Sequence, residues 1–280
     1  MLRTAGVRVL DNRDQDEVLA LLARDPVADV FVASRIEAAG VDTWRLGAEL
    51  WGFGERGRLE SLCYSGANLV PCQATPDAVR AFGERARRQG RRCSSIVGPA
   101  DAVLPLWRLL EPHWGRVREL RADQPLLTID VPPRVEPDPE VARVRPDQVE
   151  ALLPACIAMF TEEVGVSPLA GGGGALYRAR VEELVAQGRA FARFDRGQVV
   201  FKAEIGAATR ATAQVQGVWV HPDLRGQGTG TSGTAAVVLA AQASTAPVVS
   251  LYVNSFNTAA RRSYEKVGFR EVGTFASVLF

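Results

Sequence analysis

The second half of the chain alternates between helical and strand spacing of its apolar residues. Apolar positions three and four apart in residues 147–160 predict an amphipathic helix. Residues 199–205 and 212–220 are short runs rich in apolar and β-branched residues, which predict strands. The small residues of 228–243 follow a glycine-rich turn and predict another helix. Across residues 141–280 the predicted order is βααβββαβαββ.

The first half has the same predicted order of elements. Two halves with a like order suggest a duplication, and mixed helices and strands indicate an α/β class, in the α+β sense of a mixed central sheet. Between the halves lies a proline-rich acidic stretch, residues 132–140. Prolines this dense continue neither a helix nor a central strand, so the stretch predicts an extended linker. The predicted domains are therefore residues 1–131 and 141–280.

Composition limits the partners and the compartment. The 280 residues are 47% hydrophobic and 23% charged, with a net charge of +1, so nothing indicates nucleic acid or an anionic membrane. The sequence has no apolar run long enough for a membrane-spanning helix, and no apolar signal core follows the first residues. We therefore expect a cytoplasmic protein. The cysteines form no CxxC pair, and only two histidines accompany them, so we expect no metal site. We expect the cysteines to be reduced and buried thiols.

A glycine-rich turn carries the strongest local signal. The start of a helix exposes unpaired N–H groups and the positive end of the helix dipole, which suits phosphate oxygens. Glycines at positions 226, 228 and 230 let the backbone approach a ligand, and Arg225 can add a charge-assisted contact. The acidic residue of a Rossmann site and the lysine of a P-loop are both absent at the required steps.

Two motifs in this region carry a family resemblance. The hexapeptide RGQGTG at residues 225–230 resembles the pyrophosphate loop of the GNAT superfamily of N-acetyltransferases. Residues 257–269, NTAARRSYEKVGF, resemble the second signature of that superfamily. Residues 141–280 are thus identified as a member of it. The whole chain is similar to two-part acetyltransferases whose N-terminal part has no assigned role.

The resemblance implies acetyl-CoA as co-substrate and no metal. It implies a strand that ends at residue 220 and splays from its neighbour, so that its free backbone groups pair with the pantetheine arm. It makes Tyr264 the general acid toward the coenzyme sulfur. Asn257 is either a coenzyme contact or only the N-cap of its helix. The implied coenzyme-binding residues are Val218, Trp219, Val220, Arg225, Gly226, Gln227, Gly228, Thr229, Gly230, Asn254 and Asn257.

The general base and the acceptor site are left open by the residues themselves. No Asp or Glu lies in residues 212–220, where several relatives carry the base. Glu204 is a candidate on the preceding strand, with a solvated strand residue as the alternative. Glu162 and Glu163 close the first helix, where the dipole disfavours carboxylates, and we expect them to hold a cationic amine. They are further candidates for the base, as is a water chain, and the alternative is a solvated acidic helix end.

The first half looks like a degenerate copy of the second. Its matching turn, residues 70–77, has no glycine, and Asp77 at a helix start would repel a phosphate. We therefore expect the first half to be structural or to form a wall of the acceptor site.

The predicted function is transfer of the acetyl group of acetyl-CoA to an amine on a small molecule or a protein. The alternatives are a transferase for a longer acyl-CoA and a non-catalytic acyl-CoA-binding or scaffold protein.

Overall fold

The computed structural model describes residues 6–280, which divide into two compact units. Unit 1 holds the described chain up to Leu126 together with Val272–Phe280, and unit 2 is Leu127–Glu271. No helix within residues 6–280 is both long enough and apolar enough to cross a membrane.

The first half of the chain contains six strands and five α-helices within its described part. In chain order they are β1 (Val7–Val9), α1 (Gln15–Leu22), α2 (Val30–Ala39), α3 (Thr43–Leu46), β2 (Glu49–Glu55), β3 (Arg58–Ser65), β4 (Asn68–Cys72), α4 (Pro76–Gln89), β5 (Ser95–Pro99), α5 (Ala100–Trp114) and β6 (Glu119–Ile129). The short helix α3 has no counterpart in the predicted order.

Apart from α3, the second half repeats this sequence of elements. They are β7 (Ala142–Arg143), α6 (Val149–Val164), α7 (Gly174–Ala186), β8 (Ala190–Asp195), β9 (Gln198–Ala208), β10 (Thr212–Val220), α8 (Thr229–Ser244), β11 (Val248–Tyr252), α9 (Thr258–Val267) and β12 (Arg270–Leu279). Each half ends in one long strand where the sequence predicted two. The mixed α/β class and the repeated architecture are confirmed.

Each unit has a sheet with the same pattern of neighbours. In unit 1, β1 to β4 are antiparallel, β4 and β5 are parallel, and β12 pairs antiparallel with β5. In unit 2, β7 to β10 are antiparallel, β10 and β11 are parallel, and β6 lies beside β11. Parallel neighbours need a crossover, which α4 and α8 supply.

Helices cover both faces of the sheet in unit 2. On one face, Phe201 and Ile205 of β9 pack with Val237 and Val238 of α8. On the other face, α6 and α7 close a second cluster that includes Trp219. Because side chains alternate along a strand, Lys202 and Glu204 point toward the α6 face. The sheet of unit 2 therefore lies between α6 and α7 on one face and α8 on the other.

The domain boundary differs from the predicted one. The units divide after Leu126, and the last nine residues return to unit 1 because Phe275–Leu279 pair with β5. Residues 132–140 have no helix or strand, as their prolines predicted, yet the N–H groups of Arg134 and Asp138 donate to the carbonyl oxygens of Val267 and Ser232 in unit 2. Asp138 is buried there, where Arg193 Nη1 donates to Asp138 Oδ2 at 3.0 Å. The segment is therefore an anchored connection within unit 2 and not a free linker.

Candidate functional site

Strands β10 and β11 separate after the third residue of β10. Their registered pairs are Thr212 with Val248, Ala213 with Val249, and Gln214 with Ser250. Strand β10 continues to Val220, so its last six residues have no pair on β11 in the described structure. Free backbone groups along this edge are suited to an extended amide-bearing ligand.

A β-bulge lies at Gly217, three residues beyond the last registered pair of β10 and β11. Gln216 pairs with Glu204 and Trp219 with Lys202, which leaves one extra residue in β10. Gly217 has φ +60°, and a Cβ there would lie 3.2 Å from Lys202 Nζ and 3.3 Å from Glu204 Cδ. Glycine is therefore favoured at this position, because φ lies in the left-handed region and a Cβ would crowd these side chains.

The turn between β10 and α8 presents a run of unpaired N–H groups. Gly226 and Gly228 have φ of +77° and +91°, and nothing lies within 4 Å of a Cβ built at either position. The N–H groups of residues 226–230 donate to no acceptor within residues 6–280. They precede and open the 16-residue helix α8, whose dipole adds positive potential. This arrangement forms an anion-binding cradle.

The side chain of Arg225 is turned away from this cradle. Its Nε donates to the Val220 carbonyl oxygen at 3.0 Å, and its Nη2 donates to Glu162 Oε2 at 2.8 Å. The other oxygen of Glu162, Oε1, accepts from Trp219 Nε1 at 3.1 Å. Glu162 thus ties the end of α6 to the end of β10. The sequence offered no signal for this contact, which joins residues 57 and 63 positions apart.

Tyr264 is held inside the α8–α9 side of the unit. Only 7% of the residue is exposed, and its ring packs edge-on against Phe269 at 5.8 Å between centroids. Burial, with a smaller contribution from the Glu163 carboxylate, raises the pKa of Tyr264 well above its ordinary value. The phenol is therefore protonated at neutral pH, which is the state that a proton donor needs.

Glu204 is buried and ionised, so the solvated alternative is wrong. Gln216 Nε2 donates to Glu204 Oε1 at 2.8 Å, and Lys202 Nζ lies 3.4 Å from Oε2. Burial opposes ionisation, but Lys202, Gln216 and Arg180 outweigh it and hold the pKa of Glu204 below its ordinary value. Packing of β9 against α6 buries a position whose burial the strand pattern alone did not determine.

The remaining predicted residues surround these groups. Asn257 caps α9, since its Oδ1 accepts from the Ala260 N–H at 3.1 Å. Asn254 accepts the Asn257 N–H through its carbonyl oxygen at 2.9 Å. Glu163 is exposed at the end of α6. A coenzyme contact for the two asparagines stays a prediction.

The matching turn of unit 1 is filled by its own side chains. Gln73, with φ +49°, accepts through its carbonyl oxygen from Ser61 Oγ at 2.7 Å and donates through Nε2 to Asp29 Oδ2 at 2.8 Å. Thr75 caps α4 by accepting from the Ala78 N–H at 3.2 Å. Burial raises the pKa of Asp29 to about 6, although the hydrogen bond from Gln73 acts in the other direction. This turn lacks the glycines and the open cradle of its counterpart.

Metal-binding groupings were sought across residues 6–280. No three His, Cys, Asp or Glu side chains there are grouped to hold a metal ion. The four cysteines are buried and form no disulfide.

Two regions of the chain match known families. Residues 166–269 match the acetyltransferase (GNAT) family, and this stretch includes β10, the anion cradle and Tyr264. Residues 48–152 match a domain of unknown function (DUF4081). None of the curated proteins matches this sequence.

Solved structures share the fold over nearly the whole chain. A GCN5-related N-acetyltransferase from Sphaerobacter thermophilus is 16% identical with a TM-score of 0.58, covering 99% of this chain and 96% of that chain. A GNAT-family acetyltransferase from Colwellia psychrerythraea is 14% identical with a TM-score of 0.53, covering 98% and 99%. A tandem GNAT protein from the clavulanic acid biosynthesis pathway is 13% identical with a TM-score of 0.54, covering 97% of each chain. At these identities the likeness concerns the fold.

Proposed function

Because the C-terminal half of this chain contains a domain of the acetyltransferase (GNAT) family, we propose that the protein transfers the acetyl group of acetyl-CoA to an amine. The observation that carries the proposal is the run of unpaired N–H groups at residues 226–230 beside the free edge of β10. A diphosphate followed by an amide-bearing arm needs these two features side by side.

The residues present fit such a coenzyme. The cradle of residues 226–230 accepts the pyrophosphate, and Arg225 adds a cation. Residues 218–220 offer backbone groups to the pantetheine amides. Asn254 and Asn257 are proposed as further contacts near the start of α9. When bound, acetyl-CoA supplies the activated acyl group.

The chain itself supplies donors and positioning. Backbone N–H groups at the bulge are the candidate donors to the acyl oxygen, where charge develops during transfer. Tyr264, kept protonated by burial, is the candidate proton donor to the departing sulfur.

The lowered pKa of Glu204 bears on the choice of base. A carboxylate that is stabilised as an anion is a weak base but a strong acceptor. We therefore propose that Glu204 orients an ammonium group or a water molecule at the bulge. Proton removal then passes along a water chain, with Glu162 and Glu163 as the other candidates.

The acceptor is proposed to be an amine on a small molecule or a protein. Glu163 and Glu162 at the end of α6 provide negative charge for its ammonium form. We place the reaction in the cytoplasm, where acetyl-CoA and reduced thiols occur together.

The first test is calorimetry with acetyl-CoA on Gly228→Glu. A carboxylate in the cradle repels the pyrophosphate, so binding should be largely lost while the fold is kept. Gly197→Glu is the matched control, because Gly197 also has a positive φ, +81°, and open space around its Cβ position. Equal affinity of Gly228→Glu and wild type would reject the assignment.

The second test measures release of the CoA thiol with a panel of amines. Amino acids, polyamines, aminoglycosides and peptide N-termini cover the acceptor classes, and acetyl-CoA is compared with longer acyl-CoAs. Faster release with a longer acyl-CoA indicates the alternative donor. Tight binding without release for any amine supports the non-catalytic alternative.

A further inference from the structure

We propose that Glu162 and the coenzyme pyrophosphate compete for Arg225, so that Arg225 leaves Glu162 when the coenzyme binds. The inference rests on the proposed function, because the competing anion is the pyrophosphate placed in the cradle of residues 226–230. In this scheme Glu162 is a positioning residue that holds the Arg225 guanidinium off the cradle in the free protein.

The direction of the Arg225 side chain supports the exchange. Arg225 adjoins Gly226, which carries the first unpaired N–H group of the cradle. Its side chain nevertheless folds back to contact Val220 and Glu162. Glu162 lies on α6, which packs on the Trp219 face of the sheet, whereas the cradle opens α8 on the opposite face. The guanidinium therefore has to turn from one face toward the other to meet a phosphate.

The turn of the guanidinium breaks the Nε hydrogen bond to the Val220 carbonyl oxygen and the ion pair with Glu162, and the ion pair is weak. The side chains of Arg225 and Glu162 are each 47% exposed, and an ion pair at that exposure contributes little. A pyrophosphate offers the guanidinium a bidentate partner of higher charge, already held by backbone donors. Glu162 itself stays in place, since Trp219 Nε1 continues to donate to its Oε1.

The exchange leaves one oxygen of Glu162 without its cation. That oxygen lies at the C-terminal end of α6, where the helix dipole disfavours negative charge. Binding of the coenzyme thus unmasks a carboxylate at the end of β10, where the acceptor is proposed to enter.

The experiment is calorimetry with CoA and with pantetheine, which lacks the pyrophosphate, on the full chain. Glu162→Gln removes the competitor, so CoA should bind about 2- to 5-fold more tightly, the range expected for an exposed ion pair. The affinity for pantetheine should not change. Asp223→Asn is the matched control, because it removes an exposed negative charge beside the same turn without contact to the Arg225 side chain.

Two further variants separate exchange from simple repulsion. In the Arg225→Gln background, the exchange predicts that Glu162→Gln raises the affinity for CoA no more than Asp223→Asn does. If Glu162 only repels the pyrophosphate, Glu162→Gln should raise the affinity for CoA at least as much as in the wild type, because the Glu162 charge is then unpaired. The Arg225→Gln variant alone should bind CoA more weakly.

The outcomes distinguish the inference from the function. Weaker or unchanged CoA binding by Glu162→Gln overturns the exchange, as does a gain equal to that of Asp223→Asn. A gain that survives in the Arg225→Gln background also overturns it. If the wild-type protein binds no CoA at all, the proposed function fails, and the exchange fails with it.

Discussion

Replacing Asp29 with asparagine is expected to stabilise unit 1 at neutral pH. Asp29 is 1% exposed, and its Oδ1 has no hydrogen-bond partner within the described structure. Asparagine keeps the shape and an oxygen to accept from Gln73 Nε2, but it carries no charge into this buried position.

The magnitude follows from the raised pKa. Burial raises the pKa of Asp29 from 3.8 to about 6, a difference of roughly 2 units, and each unit corresponds to about 1.4 kcal/mol. The folded protein binds a proton that the unfolded chain has released, so wild-type stability falls as the pH rises through the range between these values. Above this range the carboxylate costs about 3 kcal/mol, which the asparagine variant avoids. At a pH below 3.8 the difference should disappear.

The assay is urea unfolding at a series of pH values, followed by tryptophan fluorescence. Four of the five tryptophans lie in unit 1, including the buried Trp51 and Trp107, so most of the signal reports on that unit. Asp16→Asn, at an exposed position in α1, controls for loss of a charge in the same unit. Because the coenzyme cradle lies in unit 2, acetyl-CoA affinity should not change. Equal stability of Asp29→Asn and wild type at neutral pH would refute the reasoning.

Three other outcomes are expected from the site. Tyr264→Phe should lower kcat by about 10²–10⁴-fold while acetyl-CoA affinity stays near wild type, since only the proton donor is lost; an unchanged kcat would make Tyr264 a packing residue. Glu162→Gln and Glu163→Gln should each raise KM for an amine substrate; KM for acetyl-CoA should change little in Glu163→Gln and should fall about 2- to 5-fold in Glu162→Gln, which releases Arg225. Wild-type amine kinetics in both variants would place the acceptor elsewhere. Titration should give one coenzyme per chain, because the turn around Gln73 is closed, and two equivalents would contradict that reading.

The helix ends and turns of the site were readable from the sequence. Gly226 and Gly228 adopt positive φ, and Asn257 caps α9, because these features depend on a few neighbouring residues. The alternation of apolar residues gave the strands β9 and β10 and the helix α6 to within a few positions. The break between β10 and α8, and with it the position of the cradle, follows from local chemistry alone.

The partners of the charged residues were not readable in this way. Glu162 contacts Arg225 and Trp219 across more than fifty positions, and Glu204 gains its partner Gln216 from the next strand. These contacts depend on strand register, and the bulge at Gly217 shifts that register by one residue. A periodic pattern states which face a residue occupies but not what lies opposite.

By itself the sequence determined the repeated α/β order, the glycine turn and the tyrosine of the last helix, because each rests on local propensity or on a contiguous motif. Only the tertiary structure decided that β12 belongs to unit 1, that residues 132–140 are anchored, and that Glu204 is a buried anion. These outcomes depend on burial by distant segments. Such burial changes the free energy of ionisation and of strand pairing, but the pattern of neighbouring residues in the sequence does not indicate it.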